Sequence, residues 1–160
     1  MRILGIDPAL TVTGYGVIDT FNKNKISILE AGVIKTHSRE AISERLKKIY
    51  LGIIKLLSET KPDVMVLEKL YAHYRHPTTA YLLGEARGVI CLAASMQHIG
   101  LVEYAATRVK KAIVGRGLAS KYQIQRMVAN MLNLNKLPKY TDVTDALALA
   151  IAHSYIIKTD

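Results

Sequence analysis

The chain has 160 residues and a formal net charge of +9 at pH 7, with half its residues hydrophobic and 22% charged. That balance excludes a disordered chain and leaves enough length for one domain, residues 1–160, with a substantial core. No run approaches the roughly 18 apolar residues that a bilayer span needs, so no membrane partner is expected. Asp7 falls where a signal peptide would be apolar, and secretion is not expected. Cys91 is the only cysteine. It lies among Val89, Ile90 and Leu92 and reads as a small buried hydrophobe, which fits a reducing cytoplasm.

Met1 to Asp7 is an apolar run that closes on a carboxylate and is stopped by Pro8, the pattern of a strand buried on both faces. Thr13–Phe21 and Lys25–Thr36 read as the next two strands, with Asn22-Lys23-Asn24 as a hairpin turn between them. Three strands on short links predict an antiparallel meander. From Arg39 to Ser58 the period changes. Ile42, Leu46, Ile49, Ile53, Leu56 and Leu57 recur at three- and four-residue steps, giving a helix with one apolar face. Asp63-Val-Met-Val-Leu-Glu68 repeats the grammar of the first strand, a buried run ending on an acid.

Lys69 to His76 gathers Lys69, Tyr71, His73, Tyr74, Arg75 and His76. Cations neutralise phosphates and aromatic faces stack on unpaired bases, so this loop reads as a nucleic-acid contact. A helix is predicted from Pro77 to about Gln97, with Ala80, Gly84, Gly88 and Cys91 on one stripe of small residues. That stripe admits a close neighbour, either within the domain or on a second subunit. Leu101–Ala105 reads as a fifth strand and Thr107–Val114 as a short helix. Ser120 and Gln123 have capping-box spacing at the start of another helix, whose first turn, beside Arg116 and Lys121, suits a phosphate. The last helix runs from Thr141 to about Tyr155, and its stretch from Ala146 to Ala152 is wholly small or aliphatic. Asp142 and Asp145 stand three apart at its start, on one face. His153 reads as a core histidine or a C-terminal dipole partner.

Between Glu103 and Asp142 there is no acidic residue, while Arg108, Lys110, Lys111, Arg116, Lys121, Arg126, Lys136 and Lys139 all fall there. A one-sign segment of this length points to a polyanion. Asp7, Glu68, Asp142 and Asp145 are the candidate catalytic residues and metal ligands. If they converge they repel one another. Two Mg²⁺ ions relieve that repulsion, and metals roughly 3.5–4 Å apart can activate water on a phosphodiester and stabilise the leaving oxygen. No His/Cys set has zinc spacing and no phosphate-binding Gly-x-x-x-x-Gly-Lys loop is present.

The full set of motifs resembles the RuvC Holliday-junction resolvases of the RNase H-like, retroviral-integrase superfamily. The resemblance rests on Gly5-Ile-Asp7-Pro with Thr13-Gly-Tyr-Gly-Val17, on Glu68, on Gly84-Glu-Ala-Arg-Gly88, on Gly115-x-Gly117-x-Ala-Ser-Lys121, and on Asp142-x-x-Asp145-Ala-Leu-Ala148. It implies an α/β, RNase H-like fold with a central five-stranded mixed sheet, the first three strands antiparallel, flanked by helices. It also implies a homodimer that cuts a four-way DNA junction symmetrically into ligatable nicks. Two Mg²⁺ per site, replaceable by Mn²⁺, would be held by Asp7, Glu68, Asp142 and Asp145. Lys110 and Lys121 match family lysines near the scissile phosphates, and Tyr71 stands where the family has a stacking phenylalanine. Arg75, Lys111 and Arg116 complete the DNA-contact set. The RuvA–RuvB branch-migration complex is the implied protein partner. Competing readings are a nuclease for structured RNA, a branched-DNA binder that does not cut, and an actin-like nucleotide-binding domain, the last needing a second lobe for which there is no room.

Overall fold

The computed structural model describes residues 1–22, 25–70 and 77–157. Its strands are β1 (Arg2–Asp7), β2 (Val12–Asn22), β3 (Lys25–Lys35), β4 (Val64–Glu68) and β5 (Gly100–Tyr104). Its helices are α1 (Ile42–Thr60), α2 (Pro77–Met96), α3 (Ala106–Val114), α4 (Lys121–Met131) and α5 (Thr141–Ile156). The strands form one five-stranded sheet in the order β3-β2-β1-β4-β5. The first three are antiparallel, and β4 and β5 add in parallel beside β1. The expected meander and mixed sheet are both present. Of the hairpin turn expected at Asn22-Lys23-Asn24, Asn22 ends β2 and pairs with Lys25, while Lys23 and Asn24, like Tyr71 and Arg75, lie outside the described residues.

Strand alternation sorts the core into two layers. Leu4 and Ile6 of β1, with Met65 and Leu67 of β4, pack against Ile49 and Ile53 of α1 and Ala86 and Ile90 of α2. Ile3, Val64 and Val66 face the opposite side and meet Leu147, Ala150 and Ile151 of α5, with α3 and α4 closing that layer. Asp7 and Glu68 continue this second set, so both acids project toward α5.

α5 lies unusually close to the sheet because three glycines leave a notch for it. A Cβ at Gly5 would stand 1.9 Å from the Ala146 carbonyl oxygen, and one at Gly14 would stand 2.2 Å from that of Asp142. A Cβ at Gly16 would meet the Leu147 side chain at 2.5 Å. Gly5 pairs with Gly16, and Asp7 pairs with Gly14. The notch therefore lies beside Asp7 and sets the first turns of α5 there. Every residue from Ala146 to Ala152 is buried, as expected for a helix apolar all round.

Cys91, at one end of the small-residue stripe of α2, packs against the core, while Gly84 and Gly88 meet nothing among the described residues. A Cβ built on Gly84 or Gly88 finds no atom of the described residues within 4 Å, so no described neighbour explains those two glycines. His153 is a core histidine: it is buried, and its Nδ1 lies 2.9 Å from the Tyr104 hydroxyl.

Candidate active site

The β1–β4 ladder ends with Ile6 opposite Leu67, and the next residue on each strand is an acid. Pro8 cannot prolong the ladder, so the chain turns at once. The turn is held from behind. The Thr13 hydroxyl donates to the Ala9 carbonyl at 2.6 Å, and buried Arg45 donates to the Leu10 carbonyl and the Thr11 hydroxyl at 3.1 Å each. Asp7 thus stands on rigid backbone.

Asp7, Glu68 and Asp145 line one cavity of about 330 Å³ together with Lys110 and Lys121. Its remaining walls are Ala106, Val109, Ile124, Ala148 and Leu149. Burial pushes the Asp7 carboxyl up to about 7, helped by Asp145, Asp142 and Glu68 and opposed by Lys121. Glu68 is raised too, by burial and then by Asp145, while Lys110, Arg87 and Lys121 pull it back. Lys121 Nζ lies 2.7 Å from Asp145 Oδ2, and that hydrogen bond raises the lysine above its ordinary value. Asp142 acts on Asp7 through its charge but does not line the cavity. Three of the four candidate acids therefore share one wall, and the fourth stands beside it.

Among the described residues, no three His, Cys, Asp or Glu side chains are drawn together closely enough to hold one metal ion. The physical reason is visible: like charges keep apart, and Asp145 turns to Lys121. The donor chemistry nevertheless fits a hard divalent cation. Every candidate ligand is a carboxylate, and burial with three acidic neighbours holds Asp7 partly protonated near neutrality, a penalty that such a cation would relieve.

The cations expected to contact DNA divide between three places. Lys110 and Lys121 stand in the acidic cavity. Lys111 lines a separate cavity of about 650 Å³ with Arg108 and Tyr155, because adjacent helical residues do not share a face. Arg116 lines a third, along α4. The expected phosphate seat at the start of α4 is partly taken: the Ser120 N–H donates to Gln123 Oε1 at 2.9 Å, and the Gln123 N–H to Ser120 Oγ at 3.2 Å. The capping box forms as expected, and so withdraws two donors from any phosphate.

Arg87 is the residue that the sequence reading missed. It is buried, donates to the Glu68 carbonyl at 2.9 Å, and pairs with the Glu103 carboxylate. It therefore ties α2 to the end of β4, directly behind a candidate ligand. Its signal was present: Arg87 lies three residues before Ile90, on the buried side of α2.

The antiparallel meander, its two parallel additions and the acids where β1, β4 and α5 meet define the RNase H-like class. The family model described as "Crossover junction endodeoxyribonuclease RuvC" matches residues 3–153. A protein of that name from Alkaliphilus metalliredigens is 43% identical over 155 residues, covering 97% of this chain and 93% of its own. T. thermophilus RuvC, solved in complex with a Holliday junction substrate, is 31% identical with a TM-score of 0.94, covering 99% of this chain and 96% of its own. The yeast mitochondrial Holliday junction resolvase Ydc2, 13% identical with a TM-score of 0.68 over 96% of this chain and 77% of its own, shows the fold alone. This chain belongs to the RuvC family of crossover junction endodeoxyribonucleases.

Proposed function

We propose that this protein is a structure-selective endodeoxyribonuclease that resolves four-way DNA junctions by paired nicks. The observation that carries the reading is one cavity holding Asp7, Glu68 and Asp145 together with Lys110 and Lys121, in a chain of this family. Acids alone would repel a phosphodiester, and cations alone would bind it without cutting. Both on one wall suit hydrolysis.

Lys110 and Lys121 draw the scissile phosphate to the acidic wall and offset its charge. The Asp7 carboxyl, pushed up to about 7 by burial and its acidic neighbours, would give up its proton to a divalent ion held there. Among the described residues no serine, threonine, cysteine, histidine or tyrosine lines the cavity, which supports water as the nucleophile. The reaction is direct in-line displacement, with inversion at phosphorus and no covalent enzyme intermediate. Asp7, Glu68, Asp142 and Asp145 would hold divalent ions, two Mg²⁺ or Mn²⁺ per site. Such ions, when bound, supply Lewis-acid stabilisation of phosphate charge and a lowered pKa for water.

The reading extends to residues 1–160 as a single nuclease domain, acting as a homodimer in the cytoplasm alongside a branch-migration complex. Two cuts on one junction require two sites, and the unpartnered Gly84/Gly88 face of α2 supports the pairing. The test is a synthetic four-way junction with Mg²⁺ or with chelator, every strand mapped, against the same junction in RNA. Symmetric, ligatable nicks in DNA are expected. Asp7→Asn and Glu68→Gln should each lower the cleavage rate by at least about 100-fold while junction affinity holds within a few-fold. Near-normal cutting by either variant would overturn the assignment.

A further inference from the structure

The ladder between β1 and β4 stops one bond short, and a single residue is the cause. The Lys69 N–H donates to the Tyr104 carbonyl of β5 at 2.8 Å. A trans peptide points its N–H and C=O in opposite directions. The Glu68 carbonyl therefore faces away from β5, toward β1. With Ile6 opposite Leu67, the parallel pattern assigns that carbonyl to the N–H of residue 8. Residue 8 is proline, which has no N–H to give. A carbonyl without a donor would thus sit where β4 delivers its acid. Arg87 of α2 supplies the donor. Its Nη1 donates to the Glu68 carbonyl at 2.9 Å, and its Nη2 donates to the Glu103 carboxylate of β5. The guanidinium is buried, and its planar fork serves both acceptors at once.

We propose that Arg87 is a positioning residue for the cleavage reaction: it replaces the ladder bond that Pro8 withholds, and so fixes Glu68 relative to Asp7. The inference rests on the nuclease reading given above and deepens it. Both acids are read there as ligands of the same ions, which requires a fixed gap between them. Their like charges push against that gap. The carbonyl side of Glu68 lies past the last bond that β1 can offer, so Arg87 takes up the load. Arg87 does not line the acidic cavity and acts through the backbone of Glu68, not on the substrate. The rival role is purely structural, an ion pair with Glu103 that holds α2 to β5. Separating the two acceptors tells them apart.

The experiment follows single-turnover cleavage of a synthetic four-way junction by the full chain across a range of Mg²⁺ concentrations, with rates taken per folded molecule. Arg87→Met should lower the rate at fixed Mg²⁺ by about 10- to 100-fold, as loss of a group supporting a metal ligand does. The Mg²⁺ concentration for half-maximal cutting should rise, and calorimetry with Mn²⁺ and protein alone should show weaker binding. Junction affinity in chelator should hold, because Arg87 is buried. Arg87→Lys keeps one donor and should recover part of the rate. Glu103→Gln keeps a side-chain oxygen for Arg87 and should cut near the parental rate. Arg87→Gln is polar but too short to reach the carbonyl, and it repeats the test should the methionine variant not fold. A parental rate in the methionine or glutamine variant of Arg87, an equal loss in Glu103→Gln, or a rate loss matched by lost junction affinity would overturn the proposal. Parent protein that leaves the junction uncut in Mg²⁺ would instead overturn the nuclease reading itself.

Discussion

Asp7 and Asp145 look alike as letters, each an acid beside an apolar stretch, yet their surroundings differ. Asp145 has Lys121 at 2.7 Å, whereas Asp7 has burial and three neighbouring acids against it. The stability consequence has a definite sign. An acid whose folded-state pKa exceeds its unfolded value near 3.8 costs nothing below that value. The cost then grows with pH and is complete once pH passes about 7. In chelator, Asp7→Asn should therefore melt higher than the parent at about pH 8, by on the order of 2 kcal/mol, and the difference should vanish at about pH 4. Thermal unfolding at the two pH values checks it. Asp145→Asn should show less gain, because it also gives up its partner lysine. That partnership was not legible in the sequence: Lys121 and Asp145 belong to different helices, and only packing joins them. The candidacy of Asp7 and Glu68 was legible, because a carboxylate closing a buried strand has few structural reasons to be there.

At the scale of elements, the sequence pattern located every strand and helix among the described residues to within a few positions. Hydrophobic period is a local property, and the elements here obey it. The closeness of α5 to the sheet was not legible. Gly5, Gly14 and Gly16 sit inside strands, where glycine usually weakens pairing, and their purpose emerges only when the helix is laid over them. Gly5→Ala should cost about 3 kcal/mol or more, since its methyl group would meet helix backbone and not a side chain that can turn aside. Cleavage should fall further than stability accounts for, because the displaced helix carries Asp142 and Asp145. Chemical denaturation and turnover of the folded fraction, measured together, separate the two effects. Arg87 makes the complementary point from the other end of the site. Arg87→Met removes the partner of the half-exposed Glu103 carboxylate and frees the Glu68 carbonyl, a loss of about 1 kcal/mol in denaturant. Arg87→Lys should recover only part of it, since an ammonium lacks the planar fork that reaches both acceptors.

For the whole molecule, charge and exposed surface decide what the chain can meet. The acid-free stretch between Glu103 and Asp142 folds into α3, α4 and their connections, so Lys110 and Lys121 line the acidic cavity while Lys111 and Arg116 line others. Composition foretold the polyanion but not this distribution, since Lys110 and Lys111 are neighbours in sequence yet line different cavities. The open face of α2 is the second whole-molecule feature. If the proposed dimer forms through it, Gly84→Leu/Gly88→Leu should shift the protein toward monomer in sedimentation velocity, with little change in the circular dichroism of the fold. A Cβ at either position meets no atom of the described residues, so a collapse of the fold would tell against the surface being an interface.

The glycine notch under α5 also bears on which partner adapts when the two meet. A helix seated against sheet backbone, with its central residues buried, cannot rise without opening the core. Its amide protons should therefore exchange with solvent only through global unfolding, among the slowest in the protein. The acids at its start ride on the least pliable part of the enzyme, and conformational adjustment during recognition falls to the rim of the cleft and to the nucleic acid.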